Sequence, residues 1–144
     1  MTRNPDRLPS NKQITLPFQW GGSNPGDSKT YYAGAALNAL TETDDIFYVL
    51  CPVGGIISAA MIHTYATTTA GSAESIVMSL RKNAATDYTL ATVGLAAATR
   101  DFINYSMSAS VAKGDRLALK IVTPAWVTNP VGWVGSGVIV INVY

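Results

Sequence analysis

Lys113-Gly114-Asp115-Arg116-Leu117-Ala118-Leu119-Lys120-Ile121-Val122-Thr123-Pro124-Ala125-Trp126-Val127-Thr128-Asn129-Pro130 opens the last segment of the chain. Val131-Gly132-Trp133-Val134 then leads into a closing run from Gly135 to Tyr144. Gly114-Asp115 is a turn signal. After it Leu117, Leu119 and Ile121 alternate with Arg116, Ala118 and Lys120, the period of a strand with one buried face. Two prolines and Asn129 keep Pro124 to Pro130 out of any regular ladder. Val138 to Val143 is β-branched almost throughout, which predicts a paired strand in the middle of a sheet.

The same alternation runs upstream. Ile14, Leu16, Phe18 and Trp20 fall on one side of Gln13 to Trp20, and Pro17 confines that strand to an edge. Lys29 to Ala33 is a short strand. Ile46 to Cys51 and Ile56 to Thr67 flank a turn at Pro52-Val53-Gly54-Gly55. Ile76, Met78 and Leu80 point inward from Glu74 to Asn83, and Asp87 to Val93 returns after a turn. In Phe102 to Val111, Ile103, Tyr105, Met107, Ala109 and Val111 share one side. Ala33 to Leu40 is the nearest helix candidate and is short. The expectation is a single antiparallel β-sandwich of about eight strands, over residues 14–144, with an extended arm over residues 1–13.

Composition limits the function. Charged residues make up 13% of the 144 residues and hydrophobic ones 48%, against an average of roughly 25% charged. So few charges predict that part of the surface is buried against other subunits. A net charge of +1 gives no clustered basic surface for a nucleic acid. The apolar run Ile46 to Ile62 is divided by Pro52 and Gly54-Gly55, so it reads as two strands and not as a membrane helix. The first residues are polar, with Pro5 and Pro9, and carry no apolar signal core. Arg3, Arg7 and Lys12 stand against one acid, Asp6, in the arm, which reads either as a disordered tail or as an element that orders only on a neighbouring surface.

Chemistry-bearing constellations are scarce. His63 is the single histidine and Cys51 the single cysteine, so neither a histidine metal set nor an intrachain disulfide can form. Cys51 reads as a buried structural thiol and His63 as a surface or interface residue. Glu42, Asp44 and Asp45 lack calcium-loop spacing and read as a solvated loop. Gly132, Gly135 and Gly137 precede a strand, not a helix, so they are not a nucleotide loop. The expectation is a protein that is not an enzyme and uses no cofactor and no metal.

The pattern from Gly114 to Pro130 resembles a motif near the C-terminus of small jelly-roll domains in tailed-bacteriophage virion proteins. Those domains are similar to the trimeric tumour-necrosis-factor and C1q heads. They occur in capsid decoration proteins, head fibres and tail-fibre tips. The likeness is strongest over Glu74 to Tyr144 and weak before Lys29. It implies a jelly roll, a homotrimer, and a virion location at the capsid surface after synthesis in the host cytoplasm. It implies a major capsid or other virion protein as partner, with Arg3, Arg7 and Lys12 anchoring the arm. No membrane or nucleic-acid partner is implied. Small and apolar positions on outward faces, Ala59, Val77, Ala118 and Val122, are the expected trimer contacts. The alternative role is a receptor-binding tip that recognises a host surface glycan. Its loop would use Trp126, Asn129 and Trp133, with Thr67–Ala73 and Gly94–Asp101 beside it. Against that, the two indoles can plug the end of the sandwich or pack at a subunit contact. The resembled segment also has a tryptophan at the position of Trp126, which favours packing.

Overall fold

The computed structural model describes residues 12–44, 46–70 and 74–144. Ten strands form among the described residues: β1 (Gln13–Ser23), β2 (Thr30–Ala33), β3 (Val49–Leu50), β4 (Gly55–Tyr65), β5 (Ser75–Lys82), β6 (Thr86–Gly94), β7 (Thr99–Asn104), β8 (Ala109–Val111), β9 (Arg116–Val122) and β10 (Trp133–Val143). The described residues contain no helix. Two antiparallel sheets face each other. Sheet A runs β1-β10-β4-β7, with β8 also on β4. Sheet B runs β2-β9-β5-β6, with β3 on β9. Most connections cross from one sheet to the other, and β5–β6 is a hairpin within sheet B. This is the order of a jelly roll.

The inward residues follow the alternation. Leu16, Phe18 and Trp20 of β1 meet Leu117, Leu119 and Ile121 of β9, Ile76, Met78 and Leu80 of β5, and Ile139 and Ile141 of β10 in one core. β10 lies between β1 and β4, so its β-branched run is paired on both sides. β1 is an edge strand, as Pro17 requires. The Gln19 N–H points off the sheet to the Gly34 carbonyl at 2.9 Å. Pro17, two residues earlier, would aim an N–H the same way, so its missing donor breaks no ladder bond.

Two expectations change. Phe102 to Val111 is not one strand. Phe102 points inward and Ile103 outward, whereas Met107, Ala109 and Val111 are all buried. The phase flips between β7 and β8 because β4 carries a bulge. Ile141 pairs Ile57 while Val140 pairs Ala59, so Ser58 is an extra residue. The partner chain steps past it with an Asx turn, the Ser106 N–H donating to Asn104 Oδ1 at 2.8 Å, and the Met107 N–H reaches the Ser58 carbonyl at 3.1 Å. The strand expected over Ile46 to Cys51 shrinks to Val49–Leu50. Arg3 and Arg7 lie outside the described residues. Lys12 is described, and its carbonyl accepts the Val143 N–H at 2.8 Å.

Candidate functional site: the outer face of sheet A

Each sheet has an outer face, and the two differ chemically. On sheet B, Arg81 crosses the surface. Its Nε donates to Asp44 Oδ2 at 2.8 Å, its Nη1 grips both oxygens of Asp87, and its Nη2 donates to the Ala84 carbonyl. Lys120 Nζ adds a third bond to Asp87 at 2.6 Å. This face is occupied by its own chain. Ala118 sits opposite Arg81 in register and is 2% exposed.

Burial alone would raise the Asp87 carboxyl, but hydrogen bonds and charge from Lys120 and Arg81 outweigh it and leave it below the ordinary carboxylate value. A depressed folded value means that the stabilisation exists above the unfolded pKa of about 3.9 and disappears as pH falls through the folded one. Thermal unfolding is therefore expected to change little with Asp87 between about pH 5 and 8 and to weaken below about pH 4. Asp87→Asn should flatten the acid limb of the melting-temperature profile. An unchanged limb would rule out this contribution.

The outer face of sheet A has no such network. Reading across the ladders, Gln13, Asn142, Ile56 and Ser110 form one row. Thr15, Val140 and Ala59 form the next. Pro17, Val138, Met61 and Ile103 follow, then Gln19, Ser136, His63 and Asp101. Val134, Tyr65 and Thr99 complete the face. Ile56, Ile103 and Tyr65 are exposed, as is Tyr105 just beyond β7. Among the described residues of these rows, the one pair of ionisable side chains in contact is His63 with Asp101, Nδ1 to Oδ1 at 2.6 Å. Two shallow depressions of about 490 and 300 Å3 adjoin along that pair, sharing His63 and Ser136 in their walls.

The four expected trimer contacts do not share a surface. Ala59 lies on the outer face of sheet A. Val77 and Val122 are register partners on the outer face of sheet B. Ala118 is covered by its own chain. Sequence alternation could not show this, because it gives the side of a strand and not the sheet. His63 and Asp101 are 38 residues apart in sequence, so only the β4–β7 register makes them neighbours.

Of the two readings of the Trp126–Trp133 loop, packing of the indoles holds and the exposed glycan platform does not. Trp133 is 0% exposed, and its ring meets Trp20 edge-on at 4.8 Å between centroids. Trp126 is 7% exposed, and its Nε1 donates to the Gly26 carbonyl at 3.2 Å. Asn129 is exposed, but its Nδ2 is tied to Asp27 Oδ1 and the Pro25 carbonyl. The loop is pinned from below, and its rings form the end of the core. Thr67 to Ala70 and 94–101 lie near the same end, while 71–73 are outside the described residues.

The acidic stretch does not converge on one point. Glu42 pairs with Lys29 at 3.1 Å and Asp44 with Arg81. Asp45 is outside the described residues. Among the described residues no group of three or more histidine, cysteine or carboxylate side chains is placed to hold a metal ion. Cys51 is buried, with its Sγ donating to the Val53 carbonyl, and burial pushes the thiol up. Among the described residues no helix is long and apolar enough to cross a membrane. No protein-family model matches the chain, and no curated protein matches it in sequence.

Proposed function

We propose that this chain is a structural subunit of a tailed-bacteriophage virion, self-associating through the outer face of sheet A as a homotrimer that decorates the head. The observation that carries this reading is the composition of that face. Its central rows are Thr15, Val140 and Ala59, then Pro17, Val138, Met61 and Ile103, without a charged side chain. Four strands about 4.8 Å apart and roughly 30 Å long give roughly 600 Å2 of projected area. That matches the scale of the ~800 Å2 per partner in a stable interface. A face of this size with a single ionisable pair, His63 and Asp101, on a chain with 13% charged residues is what a repeated contact needs. A second copy supplies the cover without requiring any other gene product. The number three and the virion location come from the resemblance of Gly114 to Pro130 to phage jelly-roll domains. Arg3, Arg7 and Lys12 serve in this reading as the anchoring arm, and the partner is a major capsid or other virion protein.

Sedimentation velocity at micromolar concentration tests the contact. The expected species has three times the mass of the 15.2 kDa chain. Val138→Glu places a carboxylate at the centre of the face, at a half-buried position on the side away from the core. It is expected to give a folded monomer with an unchanged far-ultraviolet spectrum. A wild-type monomer at that concentration would refute the assembly.

A further inference from the structure

We infer that the end of the sandwich carrying Lys12, Lys82, Lys113 and Arg116 is a docking end for an acidic protein surface. The described charges divide by end. Lys12 precedes β1, Lys82 ends β5, Lys113 lies in the β8–β9 turn and Arg116 begins β9. Hydrogen bonds gather these points. The Asn83 N–H donates to the Arg116 carbonyl, Lys82 Nζ donates to the Ser110 carbonyl, and the Lys12 carbonyl holds the end of β10. The one acid among them in the described residues, Asp115, is engaged by the Ala112 N–H and by Asn83 Nδ2. Arg81, Lys120, Asp44 and Asp87 near this end neutralise one another.

The far end, roughly 30 Å away along β10, has the opposite balance. Asp27, Glu42 and Glu74 face Lys29 and Arg100 there, and Lys29 is already paired with Glu42. The described residues are thus polarised along the long axis although the net charge of the sequence is only +1.

The cations are interleaved with apolar surface, which favours a protein over a nucleic acid. Leu50, 65% exposed, is the register partner of Arg116, whose guanidinium lies 5.2 Å from the Tyr48 ring centroid. Tyr144, 81% exposed, stands beside Gly54 at the same end. Arginine and tyrosine around an exposed leucine suit a protein contact. A phosphate backbone instead calls for an unbroken cationic track. Cyclic symmetry turns this into a multivalent device, because every copy in a closed ring presents the same end to the same side. That multiplication, and the partner being a virion protein, rest on the reading above. The charge asymmetry does not.

The test uses the full chain and three immobilised probes at physiological salt: a random glutamate–tyrosine copolymer, duplex DNA, and vesicles containing phosphatidylserine. The copolymer is expected to bind most tightly. Lys82→Gln with Lys113→Gln should weaken it by about tenfold, and Leu50→Ser should weaken it without changing the salt dependence. Lys29→Gln, at the far end, should leave binding as it was. Preference for DNA or for vesicles, absence of copolymer binding, or equal loss with Lys29→Gln would each overturn the inference. Sedimentation of the same samples separates the two proposals. A monomer that binds the copolymer keeps the docking end and removes the trimer, and a trimer that does not bind does the reverse.

Discussion

Gly137→Ala is expected to prevent the domain from folding stably, with a loss of at least about 3 kcal/mol. Gly137 is in β10 opposite Ile62 of β4, at the middle of the longest ladder in sheet A. A Cβ built there would lie 1.9 Å from the Met61 carbonyl oxygen and 2.7 Å from Ile62 Cα. Both are backbone atoms of a strand buried between neighbours, so no side-chain rotation relieves the clash. Relief requires β10 and β4 to part, which breaks pairing on both sides of β10. Ser136→Ala, one residue earlier and facing outward, is the control and should stay within about 0.5 kcal/mol of wild type. Guanidinium unfolding followed by far-ultraviolet circular dichroism reads both. A Gly137→Ala protein that melts with the control would show that the strands can separate locally at little cost.

Trp133→Ala should cost about 3–5 kcal/mol through loss of buried area and the cavity left behind. Trp133 is fully buried, packing edge-on against Trp20 and at 6.4 Å from the Phe102 ring. The ring of Trp20 in turn occupies the space over Gly135, where a Cβ would fall 2.2 Å from it. The surrounding β10 backbone is held from both sides and cannot collapse into the void. For a domain near this size each kcal/mol moves the melting temperature by about 2–4 °C or more, so the midpoint should fall by about 10 °C or more. Trp133→Phe keeps the aromatic contact and removes an indole N–H that has no protein partner among the described residues. It should therefore cost clearly less than the alanine variant. Equal losses for the two would mean that the indole N–H, and not the ring volume, dominates.

Acidic decline, face-directed charge and end-directed charge, predicted above, act on surfaces and should leave this core intact. That separation is itself a consequence of the layering. Core positions answer to volume, and the outer faces answer to charge.

The alternation of Leu117, Leu119 and Ile121, of Ile76, Met78 and Leu80, and of Leu16, Phe18 and Trp20 was enough to identify these strands and their buried sides. It works because successive side chains leave a strand on opposite sides, so a one-sided core writes a period of two into the sequence. Pro17 on an edge and the β-branched run of β10 at the centre follow from backbone hydrogen bonding in the same local way. What alternation cannot encode is which strands become neighbours. Ala59, Val77, Ala118 and Val122 look alike along the chain, yet they divide between two sheets, and one of them disappears beneath Arg81. Trp133 and Trp126 stand beside glycine, asparagine and proline, which leaves an exposed platform open beside the favoured packed reading, and the fold decides for packing by turning both rings into the core. The phase flip between Phe102 and Met107 depends on the bulge at Ser58 of β4, far upstream in the sequence. Strands, their buried sides and the shortage of charge are written in the local pattern. That the Arg81 network lies on sheet B and only the His63–Asp101 pair on sheet A is set by the fold, because pairing across long sequence separations, and not local pattern, chooses what each face meets.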